Sequence, residues 1–532
     1  MKLKKVLAIV LAATMIMGMS VTTFAANETS ITVVTKEGTE TEAELSKLQV
    51  IGADPTTETG WTFVNDAESA YTEAFGVGTG QDAIWSLIKY ELERQAEEAD
   101  TPVDYSKFSD SAEQKIKSAK EITAAMLDSA LSKLYGKLHT NFTETSNPII
   151  VNAPGVYAIH ASADGFTYKM MAAYVGFTVA DNGEYPTLPA EIDDITEKGA
   201  PTDVTKSGTD SSDGDTDTSN VVSIGDIVTY EITTTIPFID PEAFNTTVEE
   251  DKPFFNITDA IQGAEYVLET TEGTQNYSIV YTDVEPNETI DATIALNNDK
   301  TGFTIDLTNE LNAANTNAGR PIKITYQAMI TDVTTDNTAM GHIPGKDFDG
   351  DNNTDKFVTG SVQLTKVDAE DTSEVKVGLP GAEFQVYSFE TASWDPDAES
   401  NTLLRLVYDD SKGAYRPALT SDTNATTTIT DVNNNGIFKI VGLDTGKYHF
   451  VETKAPEGYS INEDGRTIEI EVPGEDATGV LETESDILAD TKLASLPSTG
   501  GIGTTIFTIG GCVIMIAAAG LYFASRRKQE NK

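Results

Sequence analysis

Apolar and polar residues alternate in short runs through most of the chain after residue 200. In residues 227–233, Val228, Tyr230 and Ile232 fall on one side of a predicted strand, because successive strand residues point to opposite faces. The turn sequences Asp444-Thr445-Gly446 and Pro456-Glu457-Gly458 separate later runs. Those later runs place apolar residues at Val362, Leu364, Phe384, Val386, Leu404, Leu406, Phe438, Ile440, Phe450, Ile468, Ile470 and Val472. The pattern predicts a mainly β protein built from tandem immunoglobulin-like β-sandwich domains.

The first domain has a different pattern. Ile31–Val34 and Val156–Ile159 resemble strands, whereas a helix is indicated by the spacing of Ile84, Leu87, Ile88 and Leu92. One further helix is predicted to begin after Ser109 as its cap and to present a single apolar stripe. That stripe comprises Ile116, Ala119, Ile122, Met126, Ala130, Leu134 and Leu138. We expect a mixed N-terminal domain with a helical insertion that packs on its own sheet; contact with a membrane or partner is the alternative.

Both ends of the chain have features of processing segments. Residues 1–25 combine lysines, an apolar core and the small-residue site Thr23-Phe24-Ala25, which predicts a cleaved signal peptide. An uncleaved N-terminal membrane anchor is the alternative. Residues 502–524 carry no charge and precede Arg526, Arg527 and Lys528. That order predicts a transmembrane helix with a cytoplasmic end.

A pentapeptide stands just before this apolar segment: Leu496, Pro497, Ser498, Thr499 and Gly500. With the span and basic end behind it, the sequence resembles the LPxTG cell-wall sorting signal of Gram-positive bacteria. The resemblance implies that a sortase cysteine attacks the Thr499 carbonyl and cleaves before Gly500. A proline turn before a helix is the alternative. The predicted divisions are residues 1–25, 26–200, 201–360, 361–495 and 496–532.

Composition narrows the possible partners. The chain has 85 acidic and 36 basic residues and a net charge of -49, which argues against binding to nucleic acid or an anionic membrane. Its single cysteine, Cys512, lies in the predicted membrane helix and would leave with the sorting tail. The exported protein would therefore have no disulfide to stabilise it.

An acidic loop follows the predicted middle domain. Asp347, Asp349, Asp351 and Asp355 have the odd-position spacing of a calcium loop. Because the glycine position and the twelfth-position Glu of an EF-hand are missing, we interpret the segment as a solvated interdomain loop. We predict no metal site and no cofactor.

Three sequence blocks in the last domain carry a more specific resemblance: residues 364–368, 378–384 and 446–459. They are similar to the B-type repeat of collagen adhesins and the C-terminal domain of major pilins. The resemblance implies an isopeptide bond between Lys366 and Asp490, promoted by Glu452. The chemistry requires a free amine, and burial in an apolar core favours the neutral forms of both Lys and Glu. A buried salt bridge, or three exposed charges, is the alternative.

The middle domain has a second set of blocks, at residues 204–206, 223–230 and 255–259. They resemble the isopeptide-forming second domain of fimbrial backbone proteins. The implied residues are Lys206 as nucleophile, Asp259 as the acid, and Asn337 as the electrophile.

Together these features resemble a sortase-assembled pilus backbone subunit, a structural protein rather than an enzyme. The family implies that Thr499 of one subunit is joined to a lysine of the next, often in a Tyr-Pro-Lys setting. Here Thr187 follows Tyr185-Pro186, so we expect Lys198 to be the acceptor. The implied partners are pilin-specific and housekeeping sortases, identical subunits, tip and basal minor pilins, peptidoglycan and host surface ligands. The alternative function is a minor pilin or wall-anchored adhesin.

Overall fold

The protein is described here by a computed structural model of residues 28–34, 43–175, 188, 194–196, 199–210, 220–473, 481–493 and 502–529. Within these ranges, the description leaves out 55, 99, 107, 164, 250–251, 270–272 and 351. The predicted signal peptide, the sorting pentapeptide and Lys198 lie outside the described residues. The chain divides into two compact units, residues 1–217 with 226–357 and residues 218–225 with 358–532.

The N-terminal part of the first unit is mixed, as predicted. Its helices are α1 Glu68–Phe75, α2 Gly80–Glu98, α3 Asp110–Ser118 and α4 Ala124–Leu138. Its strands are β1 Thr29–Ile31, β2 Val33–Val34, β3 Glu44–Ala53, β4 Trp61–Phe63, β5 Thr143–Thr145, β6 Ile149–Val151, β7 Gly155–Ser162, β8 Phe166–Tyr168, β9 Met171–Val175, β10 Ile195–Thr196 and β11 Gly199–Pro201. The main sheet has the order β4-β3-β7-β9. Leu131 and Leu134 of α4 pack in the same core as Leu48 and Val50 of β3.

The predicted single helix after Ser109 is wrong, because the structure contains two helices there. Ser109 does cap α3, accepting a hydrogen bond from the Ala112 amide at 3.3 Å. Ala119 then adopts an extended backbone, and Thr123 caps α4 by accepting from the Met126 amide. Ile122 is buried within this break, so its place in the apolar pattern arises from a packed connection rather than from a helix face.

The middle part of the first unit is a sandwich of two sheets. Its strands are β12 Thr205–Asp210, β13 Ile227–Thr235, β14 Asn256–Gln262, β15 Ala264–Tyr266, β16 Tyr277–Tyr281, β17 Glu288–Thr289, β18 Ile294–Leu296, β19 Gly302–Asp306, β20 Pro321–Ile330, β21 Thr334–Ile343, β22 Lys346–Phe348 and β23 Thr354–Val358. One sheet has the order β12-β13-β20-β16-β17 and the other β18-β19-β14-β21-β22. Val228, Tyr230 and Ile232 of β13 are buried, which confirms the predicted alternation.

The second unit contains a sandwich and a separate helix. Its strands are β24 Gly360–Asp368, β25 Glu383–Phe389, β26 Thr402–Leu403, β27 Leu406–Asp409, β28 Ala414–Pro417, β29 Ile429–Thr430, β30 Ile437–Leu443, β31 Gly446–Lys454, β32 Arg466–Ile470 and β33 Thr483–Asp490. One sheet has the order β27-β28-β30-β24-β33 and the other β26-β25-β31-β32. The first and last strands, β24 and β33, are therefore neighbours, and they run parallel.

Two details of the second unit refine the sequence predictions. Val472 lies beyond β32 and is 55% exposed, so its predicted core position is wrong. Helix α5 spans Ile502–Gln529, and its segment Ile506–Arg526 is long and apolar enough to cross a membrane. The predicted span of 502–524 therefore falls within one continuous helix.

We predict that Thr123→Ala destabilises the N-terminal part by about 1 kcal/mol, because the substitution removes the hydroxyl that caps α4. Thr123→Ser keeps an accepting hydroxyl and serves as the control. Denaturant unfolding of both variants checks the prediction, and equal midpoints for the Ala and Ser variants would contradict it.

Candidate isopeptide sites

The first candidate site lies between the first and last strands of the second unit. In the parallel pairing of β24 with β33, Lys366 stands opposite Leu488 and Asp368 opposite Asp490. Lys366 and Asp490 are therefore separated by two residues of register on neighbouring strands. Glu452 reaches the pair from β31 in the facing sheet. The sandwich thus brings together three residues that lie far apart in sequence.

The three side chains are in direct contact and fully enclosed. Nζ of Lys366 donates to Oδ1 of Asp490 and lies 3.0 Å from Oε1 of Glu452, and all three side chains have 0% exposure. Oε2 of Glu452 accepts a hydrogen bond from the Asn462 amide at 2.7 Å. This bond fixes the direction of the Glu452 carboxyl group toward the amine.

The charges of this site do not balance if all three residues are ionised. One ammonium faces two carboxylates in a site closed to water, where an uncompensated charge is costly. Burial raises the pKa of Glu452, which favours the neutral acid. Oδ2 of Asp490 is buried and makes no hydrogen bond to the described residues. The arrangement supplies an amine, an acyl group and a proton donor in contact.

The second candidate site joins the two sheets of the middle sandwich. Lys206 comes from β12 in one sheet, whereas Asp259 and Asn337 come from β14 and β21 in the other. Those two strands are neighbours, with Asp259 opposite Ala339 and Asn337 opposite Ile261. The side chains of Lys206 and Asp259 have 0% exposure, and Asn337 is also completely buried.

One tyrosine hydroxyl connects the members of this second site. Nζ of Lys206 donates to Asp259 and also to the Tyr326 hydroxyl, at 2.6 Å for the latter. That hydroxyl donates to Oδ1 of Asp259 at 2.9 Å and accepts from Nδ2 of Asn337 at 2.8 Å. The Tyr326 hydroxyl oxygen is therefore in contact with both the Lys206 amine and the Asn337 amide. Oδ1 of Asn337 is buried and has no hydrogen-bond partner among the described residues.

Burial shifts both ionisable members of the second site toward their neutral forms. Desolvation lowers the pKa of Lys206, although the nearby Asp259 charge opposes this effect. Desolvation also raises the pKa of Asp259, against the opposing effect of Lys206. A neutral amine is a nucleophile and a neutral carboxyl group is a proton donor, so the site favours the protonation states that acyl transfer requires.

Sequence analysis missed the tyrosines of this site. Tyr326, on β20, and Tyr266, on β15, both donate to Oδ1 of Asp259, and the ring of Tyr230 faces Nζ of Lys206. Tyr230 and Tyr326 occupy inward positions of alternating strands. A buried tyrosine hydroxyl needs a polar partner. A tyrosine at an inward position of a strand rich in valine and isoleucine was therefore the sequence signal that could have identified these members of the site.

The acidic loop after β21 is only partly described. Asp347 lies in the short strand β22 and pairs with His342 at 2.7 Å, and Asp351 lies outside the described residues. Among the described residues, none of Asp347, Asp349 and Asp355 belongs to a group of three clustered metal-type ligands.

Two parts of the chain match known families. Residues 360–486 match the SpaA family, described as a prealbumin-like fold domain. Residues 489–531 match the LPXTG cell wall anchor motif. The first match contains β24 and β31, and Asp490 falls in the second. The anchor match and the apolar helix α5 place the chain among cell wall-anchored surface proteins whose precursors are held in the membrane.

Curated relatives agree with these matches. The chain is 31% identical over 179 residues to fimbrial subunit type 2 of Actinomyces naeslundii, an alignment that covers 32% of each protein. It is 33% identical over 150 residues to the trypsin-resistant surface T6 protein of Streptococcus pyogenes, covering 27% of this chain and 26% of the relative. The chain thus spans about a third or less of these relatives.

Among solved structures, the T6 backbone pilin of serotype M6 Streptococcus pyogenes matches 84% of this chain and 81% of its own, with 14% identity and a TM-score of 0.46. The major pilin SpaD of Corynebacterium diphtheriae matches 88% of this chain and 98% of its own, with 15% identity and a TM-score of 0.41.

With a prealbumin-like domain followed directly by an LPXTG cell wall anchor, and with fimbrial subunits among its relatives, the chain is similar to the sortase-assembled pilus subunits of Gram-positive bacteria.

Proposed function

We propose that this chain is the backbone subunit of a covalent pilus, with three domains at residues 26–200, 201–360 and 361–495. The observation that carries the proposal is the contact of the fully buried Lys366 with Asp490 and Glu452. The domain that contains these residues is followed directly by a sorting signal. A permanently buried ion triad gives little stability for its desolvation cost. The same three groups are well suited to forming an amide bond. The protein would then be structural rather than an enzyme, because each internal bond forms only once in each molecule and there is no turnover.

In the second unit, the neutral amine of Lys366 attacks Cγ of Asp490. A bond forms between Nζ and Cγ, and a bond between Cγ and one carboxyl oxygen breaks. Asp490 reacts as the neutral carboxylic acid. Glu452 transfers a proton to its departing hydroxyl group and receives one from the amine, so that one water leaves. The product is a neutral amide in place of a buried charge cluster.

In the middle domain, Lys206 attacks Cγ of Asn337 and the bond from Cγ to Nδ2 breaks. Asp259 relays a proton from the amine to the leaving nitrogen, which departs as ammonia. The hydroxyl of Tyr326 contacts both the amine and the amide nitrogen. It is therefore placed to hold the two reacting groups together.

The link between subunits joins the threonine of the sorting signal to a lysine of the next copy. A sortase acyl enzyme formed at Thr499 is resolved by the Nζ of Lys198, which stands between β10 and β11 in the sequence. A pilin-specific sortase would build the polymer and a housekeeping sortase would transfer it to peptidoglycan. Tip and basal minor pilins and host surface ligands are the remaining proposed partners.

We predict that the intact exported chain weighs less than its sequence by one water and one ammonia. Glu452→Ala should restore the missing water, because the proton relay is lost, and should destabilise the second unit. The lost bond spans 124 residues, and the chain-entropy estimate for closing such a loop is about 5 kcal/mol. Intact-protein mass spectrometry and thermal unfolding provide the measurements.

Glu463→Ala, at an exposed position, is the matched control and should retain both mass losses. A wild-type chain with its full unmodified mass would falsify the proposal of internal bonds.

We predict that Tyr326→Phe slows formation of the middle bond by about a hundredfold, since removal of one well-placed polar group commonly costs that much. The measurement is the loss of ammonia during refolding, followed by mass against time. Tyr277→Phe is the control, because Tyr277 pairs with Tyr326 across the strands but its hydroxyl accepts a backbone amide outside the site. Equal rates of ammonia loss for the two variants would show that the Tyr326 hydroxyl has no role in forming the bond.

We predict that Lys198→Arg abolishes the ladder of covalent multimers in cell-wall extracts, because arginine keeps the charge but is not a competent nucleophile. An immunoblot measures the ladder, and Lys300→Arg, at an exposed position, is the control. A persistent ladder would require another acceptor lysine, which mass spectrometry of the branched peptide would identify. A single band from the wild-type protein would favour a wall-anchored adhesin.

A further inference from the structure

The turn that leads into β30 has the residue order of a calcium loop. Residues 431–436 read Asp-Val-Asn-Asn-Asn-Gly, with oxygen-bearing side chains at the first, third and fifth positions and glycine at the sixth. The first half of an EF-hand loop has the same order, with ligands from positions 1, 3 and 5 and an invariant glycine at position 6. Asn and Gly are also common in plain turns, so the geometry of the loop must decide between the two interpretations.

Gly436 has the backbone conformation that the sixth position requires. Its φ is +70°, a left-handed conformation that glycine adopts without steric cost. A Cβ atom there would meet the Leu379 amide nitrogen and lie 2.7 Å from the carbonyl carbon of Gly378. The surrounding chain therefore fixes this sharp turn.

The two carboxylate oxygens of Asp431 have different roles. Oδ2 accepts a hydrogen bond from the Gly436 amide at 2.6 Å, which orients the carboxylate in the loop. Oδ1 is buried and makes no hydrogen bond to the described residues. A buried polar atom without a partner is costly, and a cation bound by Oδ1 would remove that cost. A plain turn does not account for this second oxygen.

The two asparagines at ligand positions retain oxygen atoms that can bind a cation. Asn433 donates through Nδ2 to the Tyr408 hydroxyl at 3.3 Å, which leaves its Oδ1 available. Oδ1 of Asn435 accepts from the Ile437 amide at 3.1 Å, and an amide oxygen has a second lone pair. Both asparagine side chains are therefore compatible with metal binding.

A main-chain oxygen is available at the seventh position, where an EF-hand loop uses a carbonyl. Ile437 stands opposite Thr365 of β24, and the Lys366 amide donates to the Gly436 carbonyl at 2.8 Å. In an antiparallel ladder this pattern makes Ile437 a non-hydrogen-bonded position. Its carbonyl therefore points away from β24, on the same side as its amide, which contacts Asn435.

We propose that this loop is a calcium site, with ligands from Asp431, Asn433, Asn435 and the carbonyl of Ile437. Position 12 is Gly442 rather than Glu, so waters would complete the six to eight oxygens that Ca²⁺ prefers. A single carboxylate predicts weak binding, with a Kd of about 0.1–1 mM, as in extracellular calcium modules. The net charge of -49 favours accumulation of cations around the chain. The expectation that the chain holds no metal would then be wrong for this loop.

The proposed site adjoins the main chain of Lys366. The Gly436 carbonyl accepts from the Lys366 amide, and the Lys366 carbonyl accepts from the Leu379 amide at 2.7 Å. A calcium ion in the loop would therefore hold the start of β30 against β24 beside the buried lysine. Calcium binding needs neither an internal bond nor a polymer, so this inference goes beyond the proposed function.

Terbium luminescence tests the site in the exported chain, residues 26–499. Tb³⁺ takes the oxygen ligands of Ca²⁺ and emits when a neighbouring tyrosine is excited, and Tyr408 is in contact with Asn433. We expect Ca²⁺ to displace the emitting ion with a Kd of about 0.1–1 mM. Mg²⁺ should compete at least about tenfold more weakly, because it requires near-ideal octahedral geometry.

Two matched pairs of variants assign the ligands. Asp431→Asn keeps an oxygen for the Gly436 amide but removes the only carboxylate, so it should weaken calcium binding at least about tenfold, since affinity follows ligand charge. Asp410→Asn, at an exposed position, should retain the wild-type affinity. Asn433→Asp adds a ligand charge and should tighten binding about tenfold. Asn434→Asp adds the same charge at an exposed position that is not a ligand, and screening should limit its effect to less than about twofold.

Thermal unfolding provides the second measurement. Calcium should raise the unfolding temperature of the wild-type second unit, because it binds only the folded loop, and Asp431→Asn should lose this rise while unfolding like the wild type in EDTA. Wild-type affinity in Asp431→Asn, equal tightening by Asn433→Asp and Asn434→Asp, or emission that calcium does not displace would overturn the site. The mass of the same samples reports the internal bonds separately, so a missing bond and a missing calcium site are distinguishable.

Discussion

Burial of lysine charge is the constraint on which this structure depends. Lys206 and Lys366 each have a side chain with 0% exposure, and removal of an ammonium from water costs several kcal/mol even after a protein relaxes around it. Each lysine contacts a buried acid, but an ion pair offsets this cost only when every remaining polar atom has a partner. Both sites leave buried oxygens without a hydrogen-bond partner among the described residues: Oδ1 of Asn337 in the first unit, and Oδ2 of Asp490 and Oε1 of Glu452 in the second. Amide formation would remove the charge itself, which is why we regard the noncovalent arrangement as a precursor.

The two sites differ in what they hold together. In the second unit, the amine and the acyl group lie on neighbouring parallel strands, β24 and β33, which are the first and last of the domain. A covalent bond there would carry tension from one end of the domain to the other without loading the remaining strands. In the middle sandwich, the candidate bond crosses between the two sheets, so it would keep the sheets from separating. An exported chain without cysteine would thus obtain from lysine the constraints that disulfides supply elsewhere.

The candidate residues of both sites were named in the sequence through the resemblance to isopeptide-forming pilin domains. A strand period of two specifies only which residues face the core, and Lys206 and Lys366 lie at such inward positions. The break between α3 and α4 was not predicted, since Ile122 continues the apolar spacing while Thr123 begins a new helix. Tyr326 was missed because an inward tyrosine is also an ordinary core residue. Only the meeting of β20 with β14 and β21 places its hydroxyl on Asp259 and Asn337, and such long-range packing has no local signature.

The identity of the proposed electrophile would also affect the chemistry of each site. Asn337 is neutral, so Lys206 and Asp259 can exchange one proton and remain balanced in the closed site. Asp490 adds a second carboxyl group, so the site with Lys366 and Glu452 needs one more proton than the middle site to reach neutrality. Burial raises the pKa of Glu452 and so favours its protonated form. The additional proton is then carried by the same acid that would act as the proton donor. Glu452 lies on the facing sheet and is held by the Asn462 amide, a position that would serve both the charge balance and the proposed proton transfer.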